Sequence, residues 1–283
     1  LLDGWRAQLG ALPVHDLLDR IYYEGDLEAR YAAAAPAAMR PQILDDLAAM
    51  PHTLVHFDFR ADNLFFDHDG SIVVIDKTLP LDVAALFGCA VVTGVGAVIN
   101  TAQIQPGSSV AVVGLGGVGL SGLMGAVLAG AGRIVAIDLS DDKLGLARQL
   151  GATDTVNARD ADQVKQVRDL TNGGVDYAFD LAGTIKAMET AYLVTRWGGT
   201  TVTAGLPHPD HRWPLQHVNL TAEERTVKGS YVGSCVPVRD IPRFIALYQQ
   251  GKLPVDRMVS QRIGFDELNL GFDRLQDVAT VRQ

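Results

Sequence analysis

Gly114, Gly116 and Gly119 stand in the spacing G-x-G-x-x-G, and Asp138 follows 19 residues after the last of them. These residue types suit the capture of a dinucleotide. A pyrophosphate must approach the backbone more closely than a Cβ permits. Gly116, Gly117, Val118 and Gly119 also open a predicted helix, whose N-terminal N–H groups carry partial positive charge. A carboxylate placed as Asp138 is can accept both ribose hydroxyls of an adenosine and would repel a 2′-phosphate, so the pattern favours NAD over NADP.

The glycine spacing alone is weak, and its neighbours make it specific. Residues 110–113 are a β-branched apolar run that reads as a strand, 120–131 continue as a helix, and 133–138 form the next strand, ending in the acid. Further elements follow at the same pace: helices over 143–150, 161–170 and 186–196, and strands over 151–156, 175–181, 200–206 and 226–232. Strands alternating with helices predict an α/β fold, a doubly wound six-stranded parallel sheet of Rossmann type. That domain spans 77–233 with its lead-in. Residues 234–283 return as helices, over 240–250 and 265–275, and strands; residues 1–76 form a small α+β attachment.

No charged residue occurs between Val83 and Gly132, which raises the alternative of a membrane helix. Pro106-Gly107-Ser108-Ser109 interrupts the run and eight glycines fall between Gly114 and Gly132, so alternating strand and turn signals account for it better. The chain of 283 residues is 48% hydrophobic and 20% charged, the balance of a globular protein. Its net charge of −9 argues against non-specific nucleic-acid binding, which rests on Lys and Arg neutralising phosphates. Two cysteines, Cys89 and Cys235, give no disulfide framework, and with no signal-like N-terminus a cytoplasmic location is expected.

Residues 1–50 read as helices, with Val14, Leu17, Leu18, Ile21 and Tyr22 on one face. In 51–76, Asp58 is followed five residues later by Asn63, and Asp76 ends a strand. A base and two oxygen ligands for Mg²⁺ are what phosphoryl transfer needs, although solvated aspartates on a hairpin give the same pattern. The stretch His56-Phe57-Asp58-Phe59-Arg60-Ala61-Asp62-Asn63 resembles the catalytic loop of aminoglycoside and choline kinase-like phosphotransferases. That resemblance implies Asp58 as base and Asn63 and Asp76 as metal ligands. The family's glycine is replaced by Phe57, Lys77 stands where it has an aromatic residue, and no nucleotide-covering lobe precedes the loop. The segment Leu12-Pro13-Val14-His15-Asp16-Leu17-Leu18-Asp19 and its continuation resemble a helical stretch of superfamily I helicases, without that family's ATP-binding motifs.

Residues 77–283 resemble the zinc-type medium-chain NAD-dependent alcohol dehydrogenases. The resemblance rests on Gly114 to Gly119, Asp138, Lys143, Gly205-Leu206-Pro207, Lys228-Gly229-Ser230-Tyr231, Asn269-Leu270-Gly271-Phe272 and Arg282. It implies that Asp138 and Lys143 hold the adenosine ribose, that Thr93, Val118 and Leu206 border the nicotinamide, and that Arg282 meets the pyrophosphate. It implies an alcohol or aldehyde as substrate and a homodimer formed through the sixth strand. Cys89 corresponds to one ligand of the family's catalytic zinc. A buried inert thiol is the competing reading, because the family's other two ligands come from an N-terminal domain with no counterpart here. Cys235, His208 and His211 are remaining candidates by residue type alone.

The expectation is a composite chain with a seam near Ile75-Asp76-Lys77, in which cofactor binding persists and turnover is lost or weak. Apolar Val255, Met258 and Val259 would then be left exposed or covered by residues 1–76.

Overall fold

The uncharged run after Asp82 divides into one long helix, one buried strand and a second, glycine-rich helix. In the computed structural model, which describes residues 79–263 and 267, helix α1 starts as Leu81–Leu86 and widens to π geometry over Phe87–Val91. It tightens again over Val92–Gly96 and widens once more over Ala97–Ala102. The chain splits into two compact units, Leu1–Leu79 and Pro80–Gln283, and all that follows concerns the second. Asp82–Ala102 is long and apolar enough to cross a membrane, but 67% of its apolar window is buried inside the fold, as in a core helix.

Six parallel strands lie in the order β3-β2-β1-β4-β5-β6: β1 (Ser109–Val113), β2 (Arg133–Asp138), β3 (Asp154–Asn157), β4 (Val175–Asp180), β5 (Thr195–Thr203) and β6 (Thr226–Gly229). The expected doubly wound sheet is therefore present. Strands covered on both faces carry continuous apolar runs, and Val110, Ala111, Val112 and Val113 of β1 are all buried. Val113 pairs with Ile137 on one side and Asp180 on the other, so β1 is the switch point from which the connections run outward in both directions.

Helices α2 (Gly117–Leu128) and α3 (Asp141–Gln149) link the first three strands, and α4 (Gln163–Leu170) crosses to β4. Helix α5 (Ile185–Val194) then leads into β5, α6 (His217–Ala222) precedes β6, and α7 (Pro237–Gln249) follows a 3₁₀ turn at Val232–Ser234. Val113, Ile137, Val156, Val167, Ala187 and Ala191 belong to one core cluster joining strands to α4 and α5. Ala111 and Val113 of β1 and Val135 and Ile137 of β2 alternate in it as the pleat requires, whereas Val175 and Ala178 of the irregular β4 stand three apart.

Several boundaries differ from the expectation, three of them for a visible reason. Strand β5 begins at Thr195, not 200, because it forms a bulged pairing with Val175 ahead of the regular ladder from Tyr177. Strand β6 stops at Gly229, where Ser230 N–H donates to Thr203 O at 2.8 Å and turns the chain. Helix α7 starts three residues early, with Pro237 in its first turn, where a missing N–H costs nothing. Residues 265–275, read as a helix, include mostly positions outside the described ones.

Val255 and Met258 are not left bare. Both are fully buried, and Met258 Sδ lies 3.5 Å from Ser121 Oγ of α2. A short 3₁₀ segment, Val255–Met258, thus returns onto the same unit. Arg257 donates to Gln149 O and Oε1, and Arg262 pairs with Asp82.

Candidate functional site

At the C-terminal end of β1 the chain turns through Gly114, whose φ of +89° is open to glycine and strained for most other residues. The next turn brings Gly119 against it: a Cβ on Gly119 would overlap the Gly114 carbonyl oxygen. The first and last glycines of the motif therefore make the turn compact. Gly116 has a different part, since a Cβ built there meets nothing within 4 Å. It faces open space at the N-cap of α2, which receives no side-chain cap. Uncapped N–H groups at the start of a 12-residue helix, beside a glycine with free space, form a cradle for an anion.

Asp138, the last residue of β2, closes one side of this cradle. Its Oδ2 accepts Leu115 N–H at 2.7 Å, and its Oδ1 accepts Ser140 N–H at 2.9 Å. The carboxyl is thus anchored to the glycine turn, and each oxygen retains a lone pair for a ligand hydroxyl. Ser140 caps α3 by accepting Lys143 N–H at 3.5 Å, and Lys143 itself is buried. The adenosine-side residues expected from the sequence therefore converge on one strip, from the turn after β1 to the first turn of α3.

The nicotinamide-side residues are less closely grouped. Thr93 is half-buried on α1 and Val118 half-buried on α2. These helices touch: a Cβ on Gly94 would overlap Val118 O and come within 2.6 Å of Gly122 N. The uncharged, glycine-rich text of α1 is what permits that approach. Leu206, beyond β5, is 82% exposed, an unfavourable state for a large apolar side chain.

Asp180 was not singled out in the sequence, yet it holds the switch point. Its Oδ1 accepts Ala182 N–H at 3.2 Å and Gly183 N–H at 3.1 Å, and its Oδ2 accepts Thr203 Oγ at 2.8 Å. The available signal was that Asp180, like Asp138, is an acid ending a strand directly after buried apolar residues.

The cysteines tell against a metal centre built from the described residues. Cys89 is half-buried in the first π stretch of α1, and no three His, Cys, Asp or Glu side chains are gathered to hold a metal ion among the described residues. Cys235 donates to Val92 O at 3.2 Å and accepts from Asn100 Nδ2 at 3.4 Å. Burial, reinforced by the nearby negative charge of Asp240, pushes its thiol up to about 12. Asp240 is itself held low by Arg239, which donates to both of its oxygens at 2.8 Å. His208 and His211 are exposed and stack on each other with ring centres 5.7 Å apart. Asp58, Asn63, Asp76 and Arg282 lie outside the described residues.

Comparison with known proteins agrees with this geometry. Residues 117–250 match the family model described as zinc-binding dehydrogenase. Over 218 residues the chain is 36% identical to alcohol dehydrogenase 1 of Pisum sativum and 38% identical to alcohol dehydrogenase 1 of Oryza sativa subsp. indica. Each alignment covers 76% of this chain and 57% of the relative, so the chain spans little more than half the length of the curated relatives it matches. Among solved structures, benzyl alcohol dehydrogenase from Acinetobacter calcoaceticus superposes with a TM-score of 0.71 at 33% identity, covering 75% of this chain and 58% of that one. The matched region is therefore similar to the corresponding part of alcohol dehydrogenases and zinc-binding dehydrogenases.

Proposed function

We propose that this chain binds NAD(H) in the crevice between β1 and β4, as the cofactor-binding part of an alcohol dehydrogenase-type fold. The observation that carries the reading is the uncapped start of α2 beside Gly116, bordered by a carboxylate already tied to the same turn. The α2 N–H groups would take the pyrophosphate and Asp138 the adenosine ribose, with Lys143 beside it. Thr93, Val118 and Leu206 would border the nicotinamide. Arg282 is the residue proposed for the pyrophosphate from the C-terminal side.

Bound NAD supplies a hydride acceptor. The protein's own part is to orient it, and the apolar side chains of Val118 and Leu206 would cover the ring against water. The described residues do not fit a catalytic zinc, since Cys89 belongs to no group of three His, Cys, Asp or Glu side chains among them. The alcohol or aldehyde substrate implied by the relatives therefore lacks an oxygen-polarising group within this set, and we expect binding without efficient turnover. Strand β6 lies at the edge of the sheet, and a homodimer through that edge is the arrangement proposed; its residues bring no basic patch for nucleic acid.

The test is an absorbance assay at 340 nm with NAD and a primary alcohol, alongside metal analysis of the same sample. The expected result is nucleotide bound without sustained NADH formation, and less than one zinc per chain. Sustained alcohol-dependent turnover with stoichiometric zinc would overturn the impaired reading and assign a complete enzyme.

A further inference from the structure

We infer that Asp180 is a positioning residue for the nicotinamide half of the dinucleotide, an inference that rests on the NAD(H) reading above. In a doubly wound sheet a dinucleotide lies across the switch point, one mononucleotide over the β1–β3 half and the other over the β4–β6 half. The glycine turn and Asp138 occupy the first half. On the second, the loops after β4 and β5 must form the floor.

Those two loops do not hold each other by ladder bonds. They meet where Gly183, with φ of +73°, lies against Gly205, so closely that a Cβ on Gly205 would overlap Gly183 Cα. Asp180 sits beneath this crossing, only 2% exposed. Its Oδ1 holds the β4 loop through Ala182 and Gly183 N–H, and its Oδ2 holds the end of β5 through Thr203 Oγ. Ala204 N–H also donates to Asp180 O at 2.9 Å. The carboxylate thus fixes the spacing of two loops from opposite ends of a helical crossover, and Leu206 follows immediately from that junction. Ala182 also packs on the glycine turn, since a Cβ on Gly114 would lie 2.6 Å from Ala182 Cβ. Three donors on a buried carboxylate with no role in the adenosine half are hard to explain by strand pairing, which the backbone already satisfies.

The experiment compares calorimetric affinities for NADH and for ADP, which lacks the nicotinamide riboside. In Asp180→Ala, NADH binding is expected to weaken roughly tenfold, the scale of losing one or two buried charge-assisted bonds, while ADP binding changes by less than about twofold. Asp180→Asn keeps an acceptor for the N–H groups and can donate to Thr203, so NADH affinity should return to within about threefold of the original. Equal weakening of both ligands, or of neither, would overturn the inference. Should Asp180→Ala fail to fold, Thr203→Val decides it: a loss of roughly threefold confined to NADH supports the inference, and an equal or absent effect overturns it. An unaltered chain that binds neither ADP nor NADH would remove the dinucleotide reading itself, and this inference with it.

Discussion

On the β1–β3 side of the crevice, one continuous stretch from Gly114 to Lys143 supplies the turn, the helix start and the acid. On the β4–β6 side, two separated pieces, around Asp180 and around Thr203 to Gly205, must be brought together. Both sides end a strand in an aspartate, but the two acids face different ways. Asp138 uses one N–H bond per oxygen and keeps room for a ligand, whereas Asp180 spends its capacity on protein donors. On the proposed reading, a strand-ending acid serves as a ligand contact where the chain nearby is local and as scaffold where the chain must be gathered from afar.

The contrast can be tested first by a Cβ on each side. Gly119→Ala should destabilise the fold by about 3 kcal/mol, because backbone rather than a flexible side chain blocks the new methyl group, and should abolish binding of ADP and NADH alike. Gly205→Ala meets backbone too, yet should cost NADH affinity while sparing ADP. Urea denaturation and the two titrations separate the outcomes; identical ligand profiles would erase the distinction between the halves.

Next in size is Asp138→Ala, which removes the acceptor for Leu115 N–H and the charge that discriminates against a 2′-phosphate. Losing a hydrogen bond to a charged group costs about 1.5–3 kcal/mol. NADH affinity should fall by a corresponding one to two orders of magnitude, and the preference for NADH over NADPH should shrink or vanish. A variant that still prefers NADH would place discrimination elsewhere.

How much of this was readable follows the same division. Gly114, Gly119 and Asp138 lie within a short stretch, so the glycine spacing together with its strand and helix neighbours located the turn and the acid beside it. The parallel sheet was equally legible, because buried β-branched runs alternate with helices. Asp180 and Thr203 meet across 23 residues of sequence, and Gly183 and Gly205 across a whole helical crossover, so no local pattern marks them. The long helix α1 went unread for a related reason: glycines that break helices in isolation are used here for close approach to α2. Val255 and Met258 were expected to be exposed or covered by residues 1–76; both are buried, and Met258 lies against Ser121 of α2.

A smaller effect compares the opposite, N-terminal ends of the two halves. Arg133 holds Asp154 at 2.8 Å between β2 and β3, and Arg196 holds Asp176 at 2.6 Å between β4 and β5. The Arg133 bond draws Asp154 below the usual carboxylate range. Burial alone would raise Asp176, but Ser109 N–H and hydroxyl together with Arg196 outweigh it and lower it. Carboxylates lowered in the fold bind fewer protons than when unfolded. Their stabilisation is therefore complete above the ordinary value of 3.8 and is lost as pH falls below it. Denaturation midpoints should be flat near neutrality and drop below about pH 4, with Arg133→Ala and Arg196→Ala each flattening part of that drop. The smallest change expected is Arg262→Ala at the exposed pair with Asp82, under about 0.5 kcal/mol by thermal denaturation; a larger loss would mean that the C-terminal return depends on this contact.

The most direct test of the central claim is a calorimetric titration of the purified chain with NADH, with NADPH in parallel. The account predicts saturable binding of NADH and weaker or no binding of NADPH, as the Gly114–Gly119 turn and Asp138 together require. Absence of binding for both nucleotides, in a folded sample, would contradict it and leave the likeness to the alcohol dehydrogenases one of fold alone.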